Sequence, residues 1–261
     1  MVSLIRRAEF GTGQAPGAVS DLEWQMRVDL AACYRLVAHF GLNELTYNHI
    51  SARVPGPGEQ ILINSFGLMF NEVCASNLVK VDISGRVLDD PLGMGINEAG
   101  YVIHSAVHEG RPDVACVIHS HTPAGMAVSA QKHGLLPLTQ NAMLFHEHLA
   151  YHDYEGIAVS LDERGRLIRD LGDCGAMILR NHGLLTAGRS IAEAFNAMIF
   201  LDRACEAQLK ALGGGAELNY PSDLAAKEAA RVYREHSLAA ADRDWPALRR
   251  LADSLDDSYK N

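Results

Sequence analysis

Positive charge is in deficit in this 261-residue chain: 23 lysines and arginines stand against 32 aspartates and glutamates, a formal net charge of −9. That balance argues against binding nucleic acid or an anionic membrane through bulk charge. Cysteine is sparse and unpaired. The five residues, Cys33, Cys74, Cys116, Cys174 and Cys205, are odd in number and form no C-x-x-C pair. Four of them lie in apolar or helical stretches, where a free thiol behaves as a small hydrophobe. No apolar run follows the basic start Met1-Val-Ser-Leu-Ile-Arg-Arg, so no secretory signal is expected, and a cytoplasmic location is. Apolar runs stay far below the ~20 residues of a membrane span. Internal repeats and low-complexity tracts are absent too.

What is present suits an ordinary globular protein, with 48% hydrophobic and 21% charged residues. A chain of this length forms one large domain, burying roughly 70–75% of its unfolded surface without help from disulfides. Twelve histidines are many for the length.

Residues 1–20, with a Gly/Pro-rich stretch at 11–17, read as a loose arm. From Asp21, taken as an N-cap, Leu22, Met26, Leu30, Cys33 and Val37 recur at helical spacing up to a stop at Gly41. Two hairpins follow, one over 49–64 around a Gly/Pro turn and one over 78–88 around Ser84-Gly85. The pattern then predicts a helix over 97–110, a buried strand over 115–121 and a helix over 123–132. Strands near 157–159 and 176–179 and a long helix over 191–212 come next. An amphipathic helical segment over 222–254 closes the order, so residues 222–261 read as an extension packed on the main domain, 21–221, or on a neighbouring subunit. Hairpins followed by helices point to a mixed or mainly antiparallel sheet covered by helices.

Val117-Ile-His119-Ser-His121-Thr carries the sharpest local signal. Strand side chains alternate, so His119 and His121 leave the same face and can ligate one metal ion. In Arg180-Asn-His182-Gly an apolar strand runs into a turn, which places His182 either as a third ligand or as a histidine bonded to the turn itself. Three imidazoles with an open fourth position make a catalytic rather than a structural site. Glu98, at a helix start, is either an acid/base beside the metal or a first-turn acid favoured by the helix dipole. His104 and His108 share a helix face and read more readily as packed histidines than as ligands. His146, His148 and His152 read as a solvated or interface segment, and His39, His133 and His236 as surface.

The stretches Arg111-Pro-Asp-Val, Val117-Ile-His-Ser-His-Thr and Arg180-Asn-His-Gly-Leu together resemble the class II aldolase/adducin family over about residues 22–212. The stretches at 63–68, 71–76, 78–81, 134–137 and 151–154 bring the chain nearest to adducin heads and their bacterial relatives. The resemblance implies an α/β fold, a single three-layer α/β/α domain around a central, mostly antiparallel sheet. It also implies one divalent metal ion per chain, typically zinc, on His119, His121 and His182, and assembly as a homotetramer. Ligand type alone does not separate zinc from iron or manganese.

Departures from the family's sugar-phosphate aldolases shape the functional expectation. A gapless alignment puts Gly100 at their catalytic glutamate, with Glu98 two residues earlier. Their phosphate-binding patterns become Asn48-His49-Ile50-Ser51 and Phe66-Gly67, which removes two donors that a phosphate dianion needs. The expected activity is therefore a metal-dependent carbon–carbon lyase, working through a metal-stabilised enediolate on a small, non-phosphorylated, aromatic or carboxylated substrate. Glu98 is the expected acid/base, and His49, Phe66, Gly67 and His104 the substrate contacts; aromatic walls near Phe66 and Phe145 would favour a ring substrate, and a nest of backbone donors a phosphate. A decarboxylase or Fe(II) oxygenase on the same fold is one alternative. A non-catalytic, adducin-like assembly module is another, although the acidic end Asp253-Ser-Leu-Asp-Asp differs from adducin's basic tail.

Overall fold

A computed structural model describes residues 19–56, 58–156 and 162–261. The first helix, α1 (Asp21–His39), is capped by Ser20, one residue before the expected cap. The Ser20 hydroxyl accepts the Glu23 N–H at 3.2 Å. Asp21 then lies in the first turn, where its charge faces the positive helix end. At the other end Gly41 takes a φ of +67° and turns the chain out of the helix, close to the expected stop.

Among the described residues, eight strands form one sheet. They are β1 (His49–Arg53), β2 (Gln60–Ile63), β3 (Val79–Asp82), β4 (Val87–Asp89), β5 (Cys116–Ser120), β6 (Ala150–His152), β7 (Ala176–Leu179) and β8 (Gly183–Gly188). Their spatial order is β4-β3-β2-β1-β5-β8-β7-β6. Every neighbouring pair is antiparallel except β6 with β7. The predicted hairpins are present as β1–β2 and β3–β4. The strand expected at 157–159 lies outside the described residues. Among the described residues the edge is held by β6, which carries His152 inside the fold. That corrects the reading of this histidine as part of a solvated or interface segment, a reading that followed from the lack of an apolar run before it.

Alternation along β5 sorts its side chains between two helical layers. Cys116 and Ile118 pack with Ile50, Ala52 and Leu184 under α1, α3 (Pro123–Ser129) and α6 (Ile191–Gly213). Val117 packs with Met177, Leu179 and Leu185 under α2 (Glu98–Gly110) and α5 (Glu163–Leu171). The result is the expected three-layer α/β/α arrangement around a mostly antiparallel sheet. Helix α3 stops at Ser129, short of the predicted 132, because a turn follows in which Gly134 adopts a φ of +68°. The last long helix, α7 (Asp223–Leu255), packs on α6, on α1 and on the single turn α4 (Gln140–Met143). No described helix is long and apolar enough to cross a membrane.

Candidate metal centre

At the end of β5, His119 and His121 emerge on one side, and the β7–β8 turn brings His182 against them. Two backbone features make that approach possible. Asn181 takes the left-handed conformation, φ +56°, which short polar side chains tolerate. Gly183 lies so near the next strand that a Cβ there would collide with the Ser120 carbonyl and stand 3.1 Å from His121 Cδ2. Only glycine lets the turn close on the histidines.

The three Nε2 atoms converge: His119 to His121 at 2.8 Å and His121 to His182 at 3.0 Å. Two of the opposite ring nitrogens are anchored. His119 Nδ1 donates to the Leu184 carbonyl at 2.9 Å, and His121 Nδ1 to the Glu44 carboxylate, also at 2.9 Å. Both partners are acceptors, so in a neutral ring the proton resides on Nδ1 and the lone pair on Nε2 points inward. Bare lone pairs facing each other at these distances repel unless a cation lies between them. Burial, then the neighbouring imidazoles, hold His119 well below the usual histidine range, and the same causes bring His182 to about 4. Neutral imidazoles, outer nitrogens tied and inner nitrogens convergent, are the form that ligates a divalent metal. The residues present therefore fit such an ion.

Glu44, the anchor of His121, is a site residue that sequence reasoning missed. It sits in the loop after α1, its own N–H bonded to Asn48 Oδ1, with no motif to mark it. Tyr154 was missed as well: its ring lies 6.4 Å from that of His182, at 73°.

Behind the triad the histidines continue inward. His49 is the direct cross-strand partner of His119, only 4% exposed, with the two rings stacked at 6.3 Å. Neither nitrogen of His49 has a partner, and burial, followed by repulsion from His121 and His182, lowers it to about 3. His104 stands edge-on to His49 at 5.8 Å. The Ser51 hydroxyl bridges His104 Nδ1 at 2.7 Å and His108 Nε2 at 2.8 Å, so these two are packed histidines on α2. His104 Nε2 is left without a partner.

The other expected site residues are more dispersed. Phe66 and Gly67 follow β2 and lean on the loop before α2, through the Phe66 N–H to the Gly95 carbonyl at 2.9 Å. Gly67 itself has a φ of +99°. Glu98 is the exposed first residue of α2, after the Asn97 cap. Phe145 is no wall of this site. It is buried against Tyr233 and lines a cavity of about 270 Å³ with Arg111, Cys174 and Arg189, at the opposite end of β7 and β8.

Comparison with known proteins follows the same lines. Residues 28–209 match the Class II Aldolase and Adducin N-terminal domain family. A Pseudomonas aeruginosa protein, provisionally named as an aldolase class 2 protein, is 53% identical over 247 residues, covering 93% of this chain and 94% of that one. Alpha-adducin of Rattus norvegicus is 47% identical over 189 residues, which are 72% of this chain but 26% of the adducin. The L-fuculose 1-phosphate aldolase structure from Glaciozyma antarctica superposes with a TM-score of 0.80 at 26% identity, covering 92% of this chain and 95% of the other. With three convergent imidazoles on a three-layer sheet domain, and a family match over most of its length, this chain belongs to the class II aldolase and adducin N-terminal domain family.

Proposed function

We propose that this protein is a metal-dependent carbon–carbon lyase acting on a small, non-phosphorylated hydroxycarbonyl substrate. The observation that carries the reading is the convergence of three Nε2 atoms, with the Nδ1 protons of two of the rings tied up, that of His119 at Leu184 and that of His121 at Glu44. A divalent ion held by His119, His121 and His182 supplies Lewis acidity toward a substrate carbonyl or hydroxyl oxygen. Zinc suits three imidazoles with an open position, and iron or manganese accept the same donors.

The surrounding residues then divide the remaining work. Leu184 and Glu44 hold two ligand rings in the productive tautomer. His49 and His104 offer unpartnered nitrogens to the polar groups of a bound molecule. Phe66 and Gly67 form the far side of the substrate contacts. Glu98 is the acid/base: an exposed carboxylate at the start of α2, two residues from the Gly100 that rests on His49. A neutral imidazole at position 49 supplies no cation for a phosphate dianion, which supports a substrate without one. Loss of carbon dioxide from a carboxylated substrate uses the same polarised oxygen, and product analysis separates it from aldol cleavage. Self-association into a tetramer and a cytoplasmic setting belong to this reading.

The 47% identity to alpha-adducin supports a second reading, a non-catalytic assembly module. Elemental analysis decides between them. About one divalent ion per chain, with aldehyde release from a panel of hydroxycarbonyl compounds, is the expected result. No metal after chelator-free purification, and none taken up on reconstitution, removes the lyase reading and leaves assembly.

A further inference from the structure

Tyr154 occupies an unusual position for a surface aromatic. Its neighbours on both sides are tied to α5, or to the strand beside it. His152 is buried, with Nδ1 2.8 Å from Asp170 Oδ2 and Nε2 3.4 Å from Glu163 Oε1. Its carbonyl also accepts the Arg180 N–H at 2.8 Å. On the other side the Glu155 carboxylate receives Arg166 through both Nε, at 2.7 Å, and Nη2. The backbone is thus pinned two residues before Tyr154 and one residue after it.

The ring between these anchors is not buried by them. It remains 56% exposed, and among the described residues its ring contact is the edge-on approach to His182. Exposing a phenol on a rigid segment gains little in folding, since burial is what makes an aromatic stabilising. It does set a flat apolar surface beside the third metal ligand.

We propose that Tyr154 is a specificity-determining wall of the substrate pocket, stacking on a planar or aromatic group attached to the oxygens that reach the metal centre. The substrate class is then a hydroxycarbonyl compound bearing such a group. The inference rests on the metal reading of His119, His121 and His182, and the test is built so that the two fail separately.

Acetohydroxamate and benzohydroxamate chelate through the same two oxygens and differ in the phenyl ring. Their binding to the Co(II)-loaded protein is read from the visible cobalt spectrum, without any turnover. Wild type should favour benzohydroxamate, and Tyr154→Ala should lower that preference about three- to tenfold, the span of one aromatic contact. Tyr154→Phe should keep it. An unchanged preference in Tyr154→Ala overturns the wall, and so does loss of the preference in Tyr154→Phe, which would place the effect in the hydroxyl. Failure of the wild type to load cobalt, or of both hydroxamates to perturb its spectrum, overturns the metal centre itself and the inference with it.

Discussion

The imidazole of His49 occupies the volume that any side chain at position 100 would need. A Cβ built on Gly100 would meet His49 Cγ at 2.6 Å, and Cε1 and Nδ1 more closely still, inside the 3.0 Å that real Cβ atoms keep. The first turn of α2 therefore closes on β1 only because residue 100 is glycine. Position 100 therefore holds no side chain while His49 stands there.

Gly100→Ala should accordingly destabilise the protein by about 1–3 kcal/mol through overpacking, although alanine is the better helix former by about 1 kcal/mol. Combining it with His49→Ala should remove most of that cost. Urea unfolding of the two single variants and the double variant checks this, and simple additivity would contradict the contact.

Glu44 should matter to the metal without touching it. Glu44→Gln is expected to weaken metal affinity by about 10- to 100-fold, the usual effect of losing a carboxylate behind a ligating histidine. His121→Ala should abolish retention while far-ultraviolet circular dichroism stays unchanged. Chelator competition measures both, and wild-type affinity in Glu44→Gln would mean that the hydrogen bond does not orient the ring.

Glu98→Gln should keep the metal and lower kcat by about 10²- to 10⁴-fold, the range for a lost general acid or base. Metal content and turnover are measured on the same sample. An undiminished rate moves the proton-transfer role to another group.

Acid should destabilise the metal-free protein through the packed histidines. Burial, the largest cause, holds His104 well below the ordinary range and His108 at about 3, whereas both titrate near 6.5 when unfolded. Below pH ~6.5 the unfolded chain binds protons that the native chain refuses. Stability is therefore full above that pH and falls as pH drops toward the native values, by about 1.4 kcal/mol per pH unit for each such group. Urea melts between pH 5 and 7 should show the slope, and His108→Gln should reduce it by about one proton.

Much of this molecule was written in local pattern. Period-2 alternation put His119 and His121 on one face of an apolar strand, and the strand-then-turn around Gly183 put His182 at a sheet end. The helical repeat from Leu22 to Val37 announced α1 to within a residue or two. Such signals survive in one dimension because they report which way a side chain points from its own backbone.

The rest depended on which distant segments meet. Pairing of β1 with β5 set His49 opposite His119, and the loop after α1 carried Glu44 to His121. The parallel edge strand β6 drew His152 inside and left Tyr154 beside His182. The same packing sent Phe145 to the far end of the sheet. None of these has a local periodicity, since each is fixed by strand order and by the close approaches that Gly100 and Gly183 permit. The sequence by itself determined that His119 and His121 share one strand face and that His182 stands at a sheet end. Only the tertiary structure decided what orients them and what surrounds them, because contacts between remote residues arise from packing and leave no pattern along the chain.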